Sequence, residues 1–166
     1  MLVLSLDSAA NGCNISVWRD GGVLALTEQH MERGQDQQLM PLVLEALKKS
    51  DVTFEQLDRI AVTRGPGSFT GLRIGLAAAR GLGLALDKPV LGIDRFSIYR
   101  EQFHDAENLL VVLQSKRKEL YCRFYENSVA CEAMMLSSED ILYSLSPLPS
   151  PLRGGAEGRG EKSCTI

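Results

Sequence analysis

A carboxylate, a glycine-rich turn, two histidines and four cysteines are the groups in this 166-residue chain whose types and spacing could do chemistry. Asp7 ends the apolar run Leu2-Val3-Leu4-Ser5-Leu6, a place from which an acid can hold a metal-bound phosphate. The turn is Arg64-Gly65-Pro66-Gly67-Ser68-Phe69-Thr70-Gly71-Leu72-Arg73-Ile74-Gly75. Gly65 and Gly67 permit a bend that a Cβ resists, and Ser68 or Thr70 can cap the helix behind it. The free N–H groups at such a helix start suit an anion, which makes Asp7, Gly65, Gly67, Ser68 and Thr70 candidate phosphate or nucleotide contacts. The spacing is neither Gly-x-x-x-x-Gly-Lys-Ser/Thr nor Gly-x-Gly-x-x-Gly, so a tight turn that only seats a helix stands as the competing reading.

The remaining reactive groups are less organised. His30 and His104 are far apart and neither has a second histidine at helical spacing, so no protease or zinc motif forms and no metal is expected. Cys13, Cys122, Cys131 and Cys164 are scattered without a Cys-x-x-Cys, as in a reducing compartment, and Cys13 is most simply the core residue of a strand. Lys116-Arg117-Lys118 reads as a solvated turn, with contact to RNA or nucleotide as its alternative. A formal charge of -3 gives no basic footprint for tight nucleic-acid binding. The start at Met1, with no basic region or cleavage site, points to a cytoplasmic protein.

The elements that must position these groups follow from periodicity. Residues 2–6 form a central strand; Cys13, Ile15 and Val17 alternate with polar residues in a second; Asp20-Gly21 is a hairpin signal leading to a third, 23–26. Asp36 can cap a helix over 36–49 whose face is Leu39, Leu42, Val43, Ala46 and Leu47, widened by Met40 and Leu44, with Pro41 marking a kink or a late start. Residues 60–63 form a fourth strand, 70–86 a second helix, and 89–93 a fifth strand, with Asp94 capping a short helix through Tyr99. Both long helices should lie on one face of the sheet.

Within the second helix, Gly71, Gly75, Ala79 and Gly83 recur at intervals of four, a ridge that another helix could approach closely. Arg73 and Arg80 are its only charges, and a membrane span is disfavoured because the run falls short of about 20 apolar residues. The apolar arcs of both helices exceed one sheet contact. That surplus predicts a partner interface through Leu39, Leu42, Val43, Ala46, Gly71, Ile74, Gly75, Ala78, Ala79 and Leu82.

A repeat of the strand, strand, strand, helix opening follows: 109–113, 119–125, 129–136, and a helix opened by Ser138-Glu139-Asp140. Its first strand ends on Gln114 where the first half has Asp7, which argues against phosphoryl transfer by a cleft between the halves. Residues 1–105 are thus a first half, 106–145 a partial second half, and 146–166, rich in Pro and Gly, a disordered or non-native tail.

The run Gly65-Pro66-Gly67-Ser68-Phe69-Thr70-Gly71-Leu72-Arg73-Ile74-Gly75 resembles the signature of the TsaB (YeaZ) family, non-catalytic subunits in the biosynthesis of threonylcarbamoyladenosine in tRNA. Leu4-Ser5-Leu6-Asp7-Ser8-Ala9, Leu39-Met40-Pro41-Leu42-Val43 and Gly92-Ile93 support the likeness, which covers residues 1–145. It implies an α/β, actin-like ATPase (ribonuclease H-like) fold with the first half complete and the second half truncated. It also implies that the two helices of the first half pair with a TsaD-like catalytic subunit or with a second copy, that a TsaE-like ATPase joins, and that tRNA is reached only through the complex. ATP or ADP at the interface with the catalytic subunit is the one cofactor it suggests. Gln35, where many members carry histidine, and Gln114-Ser115-Lys116, where many carry Asp-Ala-Arg, depart from the pattern. The rival is a nucleotide-binding or hydrolysing enzyme of the same fold, using Asp7 and the glycine turn.

Overall fold

The computed structural model describes residues 1–10 and 12–145; the tail expected at 146–166 lies outside the described residues. β1 (Leu2–Asp7) pairs antiparallel with β2 (Gly12–Arg19), and β2 with β3 (Gly22–His30). Asp20 and Gly21 close the second hairpin at φ 47° and 98°, the two positive φ values that a two-residue turn matching strand twist requires. The chain then crosses through α1 (Gln35–Lys49) to β4 (Arg59–Gly65), which lies parallel to β1. A second crossover through α2 (Phe69–Leu86) adds β5 (Val90–Asp94) parallel to β4, giving the order β3-β2-β1-β4-β5.

The alternation foreseen for Cys13, Ile15 and Val17 holds, and β1 is buried along most of its length as a central strand. Leu2, Leu4, Leu6, Cys13, Ile15, Val17, Ile60 and Val62 form one apolar cluster with Leu39, Leu42, Val43, Ala46 and Leu47 of α1 and Ala79 of α2. Both helices therefore cover the same face, as right-handed crossovers demand. α1 begins at Gln35 behind Gly34 and runs through Pro41 without a late start.

The chain divides into Met1–Arg95 and a second unit from Phe96 onward, so the division falls at the first turn of α3 (Arg95–Gln102) rather than after residue 105. The physical reason is Phe96, whose side chain is buried with Val111, Leu113 and Tyr125 and lies under the guanidinium of Arg123, 4.8 Å from its ring centroid. In the second unit β6 (Leu109–Leu113) pairs antiparallel with β7 (Leu120–Glu126), which in turn pairs with β8 (Val129–Ala130) and β9 (Met134–Leu136). The single strand expected over 129–136 is thus two short ones, because the register against β7 slips by one residue between them, the signature of an inserted residue.

α4 (Ser138–Ser144) is opened by a capping box: Ser137 Oγ accepts from Asp140 N at 3.1 Å, and the Asp140 carboxylate accepts from Ser137 N. Ser137→Ala is expected to remove about 1 kcal/mol from this element, read as faster amide exchange confined to 138–144.

Candidate functional site

Asp7 and the glycine turn do come together, but through packing. Asp7 Oδ1 accepts from Ala9 N at 2.9 Å and from Thr63 Oγ1 at 2.7 Å, so the carboxylate braces the end of β1 against β4. Ser68 caps α2 by accepting from Gly71 N, while its own N–H donates to Ala9 O at 2.8 Å. Arg95 Nη1 donates to Pro66 O at 2.8 Å and holds the turn from its other side.

The glycines are explained by what surrounds them. A Cβ on Gly67 would lie 2.4 Å from Ala9 O, and one on Gly71 would lie 1.9 Å from Ser8 O. Two backbone segments interlock here, and Ser8 Oγ adds a buried hydrogen bond to Gly71 O at 2.8 Å. The competing reading of the turn, a device that seats a helix, accounts for Gly67, Ser68 and Gly71. The phosphate reading gains no support from Ser68, whose N–H and hydroxyl are both engaged within the chain, or from Gly71, whose N–H is bound to Ser68. Ser8 and Ala9 are the residues that sequence reasoning missed, since nothing local marks a contact made across some sixty positions of chain.

The helix faces require a correction. Leu39, Leu42, Val43 and Ala46 of α1 are buried in the chain's own core, and Gly71, Gly75, Ala79 and Gly83 of α2 are buried as well. The ridge of small residues faces the sheet: a Cβ on Gly75 would meet Ser8 Oγ at 2.5 Å and Val62 Cγ2 at 3.5 Å, and one on Gly83 would meet Val90 Cγ2 at 2.4 Å. A helix turns about 100° per residue, so positions two along from that ridge point the opposite way. These are Phe69, Arg73, Ala77 and Gly81, all exposed, with Leu84 and Arg80 beside them. Ile74, Ala78 and Leu82 lie between and are half-buried.

The surplus apolar surface is therefore real: on α1 it sits on Met40 and Leu44, the residues that widen its face, and on α2 it sits outside the residues named for the interface. Phe69 is 73% exposed, Leu84 87%, and on α1 Leu44 is 56% and Met40 36%. Arg73 stacks on Phe69 at 5.2 Å from the ring centroid, and Phe69, Thr70, Arg73, Ile74 and Ala77 line an open hollow. By length and composition α2 could cross a membrane, alone among the helices of the described residues. Its glycine ridge is instead seated on Ser8, Val62 and Val90, which makes it a sheet-packing helix with one outer stripe.

His30 and His104 are exposed and on separate units, and His104 Nε2 lies 3.2 Å from Asp105 Oδ1. Among the described residues no three His, Cys, Asp or Glu side chains gather. Cys13 is fully buried with its Sγ toward Gln35 O, and burial, followed by the negative charge of Asp7, pushes its thiol pKa up. A group held protonated by the fold contributes stability below its unfolded pKa, about 8.5, and loses that contribution as pH rises through the folded value. Stability measured by urea unfolding should accordingly fall from about pH 8.5 upward, less so in Cys13→Ser; a flat profile there would contradict the burial of this thiol.

Residues 21–138 match the family model described as TsaD, tRNA N6-adenosine threonylcarbamoyltransferase. The tRNA threonylcarbamoyladenosine biosynthesis protein TsaB of Escherichia coli (strain K12) is 31% identical over 132 residues, covering 76% of this chain and 55% of the relative. A tRNA N6-adenosine threonylcarbamoyltransferase of Symbiobacterium thermophilum is 39% identical over 93 residues, 55% of this chain and 24% of that one. Among solved structures, YeaZ from Pseudomonas aeruginosa superposes with a TM-score of 0.71 at 25% identity, covering 90% of this chain and 70% of that one. The chain spans about half the length of the curated relatives it matches.

Proposed function

The chain belongs to the TsaD-type family that this model describes, with TsaB (YeaZ) proteins as its relatives, and from that membership we propose that it is a non-catalytic scaffold subunit in threonylcarbamoyladenosine modification of tRNA. On this reading it binds and activates a TsaD-like catalytic subunit, a TsaE-like ATPase joins the assembly, and tRNA is reached only through the complex. In isolation the same surface pairs two copies.

The observation that supports the reading is the outer stripe of α2 with its neighbour α1. Phe69, Leu84, Leu44 and Met40 are large apolar side chains left in water on one helical layer, where a monomer has no use for them. The interface thus passes from the residues named from sequence to Met40, Leu44, Phe69, Arg73, Ala77, Arg80 and Leu84, with Ile74, Ala78 and Leu82 at its margin. Arg73 and Arg80 call for carboxylates on the partner, which gives register and on-rate more than affinity.

The test mixes the chain with a TsaD-type threonylcarbamoyltransferase and reads both complex formation and threonylcarbamoyladenosine in tRNA. Modification should require both proteins, and the chain alone should neither modify tRNA nor hydrolyse ATP. Steady ATP turnover by the chain alone would favour the enzyme built on Asp7 instead, and absence of any complex would end the scaffold reading.

A further inference from the structure

β5 ends the first sheet, with β4 on one side and no strand on the other among the described residues. Its main-chain groups divide between the two sides. Ile60 pairs with Val90 while Ile60 N donates to Pro89 O at 3.1 Å, so Pro89, Leu91 and Ile93 turn their backbone groups toward β4. Val90 and Gly92 turn theirs outward, a template for pairing with another strand. Pro89 takes nothing from this edge, since the donor it lacks would have pointed inward. Gly92 is exposed, and Leu91 is 40% exposed.

The charges at the two ends of the strand say what fits there. The segment reads Asp87-Lys88-Pro89-Val90-Leu91-Gly92-Ile93-Asp94-Arg95, an acid and a base on either side of an apolar run. Laid antiparallel on itself about a two-fold axis through Leu91, it sets Lys88 opposite Asp94 of the copy and Asp87 opposite Arg95. The same register sets Val90 opposite Gly92, so the outward residues meet as hydrogen-bonded pairs, each exchanging two bonds. Leu91 meets its own counterpart on the axis as the closer, non-hydrogen-bonded kind of pair, where two apolar side chains cover one another. The neighbouring registers that also match outward residues centre on Val90 or on Gly92. Both leave all four charges opposite uncharged residues. Main-chain pattern and charge pattern thus select one register independently.

We propose that the open edge of β5 receives β5 of a second copy of this chain, antiparallel and centred on Leu91, which joins two first-unit sheets into one. A contact about a two-fold axis requires a surface complementary to itself, and this segment is so in backbone groups and in charge. Main-chain bonds supply the affinity, while the end charges fix the register and make the pairing sensitive to salt. The edge shares no residue with the outer stripe of α2 and α1, so the inference does not rest on the scaffold reading.

The measurement is sedimentation equilibrium of the full 166-residue chain carrying Leu84→Asp, which disables pairing through the helical layer, at up to about 1 mM protein. A monomer–dimer equilibrium that weakens with added salt is expected. Hydrogen exchange should slow with protein concentration at the amides of Val90 and Gly92, and stay constant at Leu91 and Ile93, which already face β4. Adding Leu91→Lys sets two like charges against each other on the axis and should weaken the dimer about tenfold. The position is exposed enough for that variant to melt as its parent does, which separates lost pairing from lost folding. Lys88→Glu, brought opposite Asp94 of the copy, should weaken the dimer in the same direction. Leu26→Lys, on the opposite edge strand β3 at a position 51% exposed, should leave it unchanged. A chain that stays monomeric, or a dimer indifferent to Leu91→Lys, overturns the proposal. So does a dimer whose amide protection falls on β3 or β6 instead. No partner subunit is present, so failure here leaves the scaffold reading standing.

Discussion

Gly71→Ala is expected to destabilise the first unit by about 3 kcal/mol, the upper end of the cost of forcing one extra methyl into a packed site. The added Cβ would sit 1.9 Å from the Ser8 carbonyl oxygen and 3.0 Å from its carbon. Backbone atoms cannot rotate away as a side chain can, so either the first turn of α2 lifts off β1 or the Ser8-Ala9 segment moves. Both movements break the buried bond from Ser8 Oγ to Gly71 O and disturb the one from Ser68 N to Ala9 O. For a unit of this size the loss corresponds to a fall in Tm of roughly 12 °C or more. Gly81 supplies the control on the same helix, because a Cβ there meets nothing within 4 Å. Gly81→Ala should raise stability by about 0.5 to 1 kcal/mol through helix propensity alone. Equal effects at the two glycines in a thermal melt would show that the interlock with Ser8 is not what fixes Gly71.

The same two glycines show what the sequence can and cannot convey. Local rules located the elements well: Asp20-Gly21 marked its hairpin, Ser68 its cap, and the alternation of Cys13, Ile15 and Val17 its buried face. These signals are carried by neighbours along the chain. Intervals of four small residues announced that something approaches α2 closely, and that inference holds. What approaches is decided by a contact distant in sequence, and nothing between residues 8 and 71 declares that it is a loop and a sheet rather than a second helix. The error then propagated, since a ridge assigned to a partner takes its flanking residues along with it, and Leu39, Leu42, Val43 and Ala46 followed. The division of the chain was misplaced for a similar reason: Phe96 looks local to its own helix until Val111, Leu113 and Tyr125 close around it.

Leu84→Asp separates folding from assembly. The side chain is 87% exposed, so burying a carboxylate is not at issue in the free chain, and the change in its unfolding free energy should stay within about 0.5 kcal/mol. If α2 docks a TsaD-type subunit through its outer stripe, Leu84 is a large apolar group entering a dry contact, and a charge there must be desolvated on binding. Loss of about 2 kcal/mol or more is expected, a weakening of roughly 30-fold in a binding titration. Phe69→Asp, at the other end of the stripe, should act in the same direction, whereas Glu107→Ala on the second unit should do nothing. The contrast with Gly75→Leu is the sharper test, because that variant drives a side chain into Ser8 and Val62 and should lose its fold before it loses its partner. A Leu84→Asp chain that melts normally and still captures its partner at full strength would remove the outer stripe of α2 from the interface. The exposed pair Met40 and Leu44 would then be the only large apolar side chains left on that helical layer to receive the partner.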